Sequence, residues 1–94
     1  MEELTLTVVY TSKPGMREKF IQEVISRGLL DLIRAEEGCI AYDYYTSEDD
    51  DDRLMLIEKW ENESYQKLHM EQPHMKELLS IKEHYIDTTK IEHY

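Results

Sequence analysis

The order in which apolar periodicity changes along this chain is its tightest constraint. Leu4–Ser12, "LTLTVVYTS", alternates Leu and Val with Thr, the period of two expected of a half-buried strand. "KPG" then turns the chain, with Pro14 suited to the first turn of a helix. From Met16 to Glu37 the apolar residues Ile21, Val24, Ile25, Leu29 and Leu32 fall at i, i+3, i+4, i+8 and i+11, one stripe of an amphipathic helix. Gly28 interrupts that stripe at i+7; close packing on a sheet is the plainer explanation, and room left for a ligand the functional one. "EEG" ends the helix with Gly38 in the C-cap position. Two strands follow, Cys39–Ser47 ("CIAYDYYTS") and Arg53–Trp60 ("RLMLIEKW"), joined by the hairpin loop "EDDDDR". Asn62 is placed to cap a second helix from Glu63 to about Glu71, with Glu63 at the positive end of its dipole. Pro73 breaks it and starts a short helical turn through Met75, Leu78 and Leu79, and His84–Tyr94 reads as a last strand.

Strand, helix, strand, strand, helix, strand over residues 1–94 predicts a single α+β domain, the ferredoxin-like plait (βαββαβ), a four-stranded antiparallel sheet with helices on one face. In the second strand Cys39, Ala41 and Tyr45 point one way and Ile40, Tyr42 and Tyr44 the other. In the third, Leu54, Leu56 and Trp60 oppose Met55 and Ile57. Both faces therefore carry apolar side chains, while helices are available for only one. A chain this short also buries only about 60–70% of its unfolded surface. The expectation is a homodimer built on the uncovered face, the dimeric α+β barrel arrangement.

Charge removes several functions. The chain carries 21 acidic against 11 basic residues, a formal net charge of −10, so phosphate-backbone and anionic-membrane partners are not expected. The lone Cys39 can form no internal disulfide and no thiolate metal cluster. "MEELTLTVVY" lacks the basic and apolar segments of a signal peptide, and no apolar run approaches the roughly 20 residues of a membrane span, so a soluble cytoplasmic protein is expected. The acidic run Glu48–Asp52 lacks the glycine and distal glutamate of a calcium loop and reads as solvated.

The chemistry concentrates in Trp60–His74, "WENESYQKLHMEQPH". Helical spacing places Tyr65, Leu68, His69 and Gln72 on one face, so His69 looks toward the sheet. His69 and His74 are not the i, i+4 pair of a helical zinc site, Pro73 lies between them, and no further Cys or His stands at ligand spacing; no metal is expected. Each histidine taken alone reads as a satisfied core or rim residue. Trp60, ending a strand beside the helix that carries His69, adds a flat apolar wall next to two titratable groups.

"KPGMREKF", "EEGCIAY" and "IEKWENESYQKLHMEQPH" resemble, in order and over nearly the whole chain, the antibiotic biosynthesis monooxygenase superfamily of small dimeric α+β barrel proteins. The resemblance implies, in many members, oxygenation of phenols or quinols by dioxygen without flavin, haem or metal. Haem-degrading relatives use a first-strand asparagine with a tryptophan and a ligating histidine. Here Trp60 and either His69 or His74 could match, but the first strand offers no asparagine, which disfavours that branch. The implied mechanism places a small aromatic substrate between helices and sheet, stacked on Trp60 with Tyr42 or Tyr65. His69 or His74 removes the phenolic proton, as an imidazole titrating near neutral pH is suited to do. Glu58, in phase with Trp60, either orients a histidine or pairs with a basic group across the dimer or at the rim. A non-oxidative isomerase using the same histidines, and a non-catalytic ligand-binding dimer, are the alternatives.

Overall fold

A computed structural model describes residues 2–93. Its elements run β1 (Leu4–Ser12), α1 (Arg17–Ser26), α2 (Leu29–Arg34), β2 (Cys39–Thr46), β3 (Arg53–Trp60), α3 (Glu63–Met70), α4 (Pro73–Tyr85) and β4 (Ile86–His93). The four strands form one sheet in the order β2-β3-β1-β4, every pairing antiparallel. This is the expected α+β plait. All four helices lie on one face, where Leu6, Val8 and Tyr10 of β1 and Leu54, Leu56 and Trp60 of β3 meet Phe20, Val24, Leu29, Ile33, Leu78 and Ile81. Each such side chain, fully buried, contributes roughly 1.5–3 kcal/mol of transfer free energy.

Three details depart from the periodicity reading. The first helix is two helices, because Gly28 takes φ +71°, a left-handed conformation that closes α1 and restarts the chain as α2. Beyond the break the stripe is re-phased, with Leu29, Leu30 and Ile33 inward and Leu32 half exposed; within α1 the buried pair is Phe20 and Val24, and Ile25 is half exposed. A β-carbon on Gly28 would meet nothing within 4 Å, so neither close packing nor a ligand niche explains this glycine; its backbone conformation does. Secondly, the turn after Pro73 is a full helix of 13 residues that takes in His84 and Tyr85, leaving β4 to begin at Ile86; the last expected strand residue, Tyr94, lies outside the described residues. Pro73 at the first helical position presets that helix instead of merely ending the previous one.

Thirdly, β2 carries a bulge, the pairing stepping from Cys39–Trp60 to Ala41–Lys59. The extra residue, Ile40, is thrown out to solvent, and Cys39 joins Tyr42 and Tyr44 on the helix side. The acidic hairpin is also less free than a solvated loop. Asp52 Oδ1 accepts from Gly15 N at 2.9 Å, and the Asp50 carbonyl accepts from Arg17 Nη1 at 3.0 Å, tying the loop to the start of α1. Among the described residues no helix is long and apolar enough to cross a membrane.

Gly38 sets the entry to β2. Its φ is +84°, its carbonyl accepts from Glu61 N at 2.8 Å, and a β-carbon there would collide with the Tyr65 ring. Gly28→Ala should cost about 1–2 kcal/mol from the left-handed backbone alone. Gly38→Ala should cost clearly more, by a further 1–3 kcal/mol of overpacking. Urea denaturation of the two variants checks the ranking, and equal losses would contradict it.

Candidate functional site

Trp60 closes β3 with no exposed surface, and Glu58, two residues earlier on the same strand face, accepts a hydrogen bond from Trp60 Nε1 at 2.9 Å. On the helix side the imidazole of His69 lies over the indole, ring centroids 4.7 Å apart with 36° between planes, and beside Tyr42 at 5.7 Å. Asn62 caps α3 by accepting from Tyr65 N at 3.3 Å, which orients the helix so that His69 is its one fully buried residue. Leu68, expected on the same face, is half exposed.

The group that organises these rings is Glu36, in the loop between α2 and β2. Its Oε2 lies 2.9 Å from His69 Nδ1 and 2.7 Å from His74 Nε2. Pro73 separates the two histidines in sequence, yet the turn from α3 into α4 brings both imidazoles onto one carboxylate. An ionised carboxylate only accepts hydrogen bonds. Each imidazole therefore presents an N–H to Glu36, which leaves the lone pairs of neutral His69 and His74 on Nε2 and Nδ1 respectively. The His69 side chain is 1% exposed and that of His74 is 14% exposed, so His74 is the imidazole within reach of solvent.

Behind this cluster the ionisable groups are buried and their acidity is shifted accordingly. Burial raises the Glu58 carboxyl above the usual range, opposed by the Trp60 hydrogen bond and the nearby His69 and Lys82. Burial lowers the Lys82 ammonium, which sits 5.0 Å above the Tyr10 ring, while Glu58 pulls the other way. Tyr10, Tyr42 and Tyr44 are all raised, chiefly by burial, and stay neutral phenols.

Of the residues singled out from sequence, Tyr42, Glu58, Trp60, His69 and His74 are brought together. Tyr65 stands apart from the imidazoles, its ring under Gly38 and its hydroxyl 3.4 Å from Glu37 Oε1. Within the chain Glu58 hydrogen-bonds the tryptophan and not a histidine. Trp60 and Tyr42 have no surface open to a stacking ligand, since His69 occupies the indole face. A groove of about 150 Å³ lined by Met70, Met75, Leu78, Leu79 and Lys82 opens between α3 and α4. Glu36 is the member of this cluster that the sequence does not reveal: in "EEG" it reads only as a helix end. Its distance of 33 residues from His69 hid the contact.

A plait that seals a tryptophan behind a carboxylate-bridged pair of histidines defines a small α+β protein with an acid–base cluster at one sheet end. The sequence pattern described as "Antibiotic biosynthesis monooxygenase" matches residues 4–79, and the chain belongs to that family. It is 36% identical to the "Putative monooxygenase YcnE" of Bacillus subtilis, over 72% of this chain and 77% of that protein. It is 31% identical to an uncharacterised protein of Synechocystis, where the match takes in 71% of this chain but only 44% of that longer protein. A crystal structure of a Pseudomonas aeruginosa protein superposes with a TM-score of 0.86 at 28% identity, covering 100% of this chain and 93% of that one. Family and relative together support a monooxygenase-type function.

A carboxyl raised in the folded state binds its proton more tightly there, so Glu58 adds stability at low pH that is lost as pH rises through its raised value. Glu58→Gln keeps an acceptor for Trp60 Nε1 and removes the buried charge. Its melting temperature should exceed that of the parent protein at about pH 8, with the gap closing toward the ordinary carboxylate range near pH 4. A variant less stable than the parent at about pH 8 would mean the ionised form is the better packed one.

Proposed function

We propose that this protein is a cofactor-independent monooxygenase acting on a small, electron-rich phenol or quinol with dioxygen. The observation that carries the reading is the Glu36 carboxylate bridging two imidazoles, one sealed and one at the surface. Glu36 anchors His74 through Nε2–H, so Nδ1 of His74 is the general base that takes the phenolic proton. The phenolate then gives one electron to dioxygen, which relieves the spin barrier without a cofactor. The resulting phenoxyl radical and superoxide combine at a ring carbon, and loss of water from the hydroperoxide leaves one oxygen atom in the quinone product, so that phenol and dioxygen give quinone and water. Orientation of the substrate against the base is the protein's other contribution. His69 is a positioning residue: held over Trp60 and beside Tyr42, it fixes the carboxylate from behind. Substrate approaches His74 from outside, because the indole face is already occupied.

His74→Ala should lower kcat/KM for hydroquinone oxidation about 10²–10⁴-fold, the usual loss of a general base. The change also removes one of the two hydrogen bonds to Glu36, so some loss of melting temperature is expected and turnover is compared per folded molecule. Oxygen-electrode assays on a panel of quinols, run with a chelator present, decide this. Full turnover in the variant would exclude His74 as base.

The assembly belongs to the same proposal. The sheet face away from the helices carries Val9, Tyr45, Met55 and Ile57 among threonines, with Met55 paired to both Val9 and Tyr45. A second copy of this sheet is the proposed cover. Light scattering across micromolar concentrations should give a dimer, and Met55→Asp should shift it to monomer; a parent protein that is monomeric throughout would refute the arrangement.

A further inference from the structure

We infer that Glu36, His69 and His74 also form a divalent transition-metal site, in which a bound cation and the base function of His74 exclude one another. This goes beyond the oxygenase reading: the metal site does not rest on that reading, and only the exclusion of His74 as base does.

The three residues come from three places, the α2–β2 loop, the buried face of α3 and the first turn of α4, and one ligand atom from each lies within 4.8 Å of the others. Two imidazole nitrogens and a carboxylate oxygen are the donors that suit Zn²⁺, Co²⁺, Ni²⁺ or Cu²⁺, and they suit Mg²⁺ or Ca²⁺ poorly. The contacts now measured, 2.7 to 3.1 Å from nitrogen to oxygen, are hydrogen bonds. Ligand atoms about 2.0–2.2 Å from a tetrahedral zinc stand about 3.3 Å apart. The three ligand atoms here lie within 4.8 Å of one another, so the carboxylate has to draw back and the partly exposed His74 ring has to swing toward His69 to close on an ion. Both ring nitrogens aim at Oε2 of Glu36, and the ion takes the position that this oxygen holds. The partly exposed edge of His74 leaves the fourth position for water.

The proton accounting makes the two states exclusive. In the hydrogen-bonded state Nδ1 of His69 and Nε2 of His74 carry protons, and Nδ1 of His74 is the free lone pair. In the metal state the first two nitrogens donate their lone pairs to the ion, and each neutral ring holds its proton on the other nitrogen. His74 Nδ1 is then protonated and cannot act as a base. The net charge of −10 raises the local concentration of divalent cations in either case.

The test uses the intact protein and Zn²⁺ or Co²⁺ alone, without substrate. Calorimetry should give one ion per chain, Co²⁺ should develop the visible absorption of a low-coordinate nitrogen and oxygen site, and Zn²⁺ should raise the melting temperature. Glu36→Gln and His74→Ala should each weaken binding by at least 10–100-fold, the loss seen even for outer-shell partners of a metal. Melting of both variants without metal serves as the control for folding. Binding that survives in both places the ion elsewhere, the Asp49–Asp52 loop included, and overturns the assignment, as does absence of binding at millimolar Zn²⁺. Because turnover is assayed with chelator and binding without substrate, failure of one proposal leaves the other standing.

Discussion

The contact on which this site depends is the grip of the Glu36 carboxylate on two imidazoles. α3 has a single fully buried residue, His69, and only the partly buried Tyr65 beside it as apolar contact with the core. A helix of eight residues is too short to be stable alone, and its place must come from tertiary contacts. Asn62 starts it, the indole of Trp60 receives its histidine, and Glu36 fastens that histidine at 2.9 Å while holding His74 of the next helix at 2.7 Å. One carboxylate thus joins the loop after α2 to both of the last helices. A charged group can do this because burial strengthens a hydrogen bond that is made and penalises one that is not.

That arrangement requires the space behind it to be filled. Tyr10, Phe20, Tyr44, Tyr42, His69 and Trp60 follow one another with ring centroids 4.7 to 6.2 Å apart, a continuous aromatic layer between sheet and helices. Into this layer Glu58 inserts a carboxylate whose acceptor capacity goes to the indole N–H. Every described buried side-chain polar atom has a partner. Within the cluster exposure rises toward the rim, from 1% for the His69 side chain to 9% for Glu36 and 14% for His74.

The alternation of Leu4–Ser12, the helical period of the stripe from Ile21 to Leu32, of which Val24 and Leu29 are buried, and the twin strands of residues 39–60 carried the plait, because each pattern follows from which side chains one element can bury. The errors lie where one residue changes the geometry of its neighbours. Gly28 at φ +71° re-phases the stripe, Ile40 as a bulge swaps the faces of β2, and Pro73 opens a long helix where a turn was expected. Periodicity averages over a window, so a single left-handed residue or a single inserted one escapes it.

Residue identities alone decided the chemistry on offer: a tryptophan at a strand end, two histidines around a proline, an acidic surface, one cysteine. They determined the element order and therefore the sheet. Only the tertiary structure decided which groups act on one another. Glu36 meets His69 across 33 residues of chain and His74 across 38, and Glu58 turns to the indole in place of a histidine. The reason is physical: local sequence sets backbone preference within a few residues, whereas a hydrogen bond between buried groups exists only after the helices have closed over the sheet and excluded water.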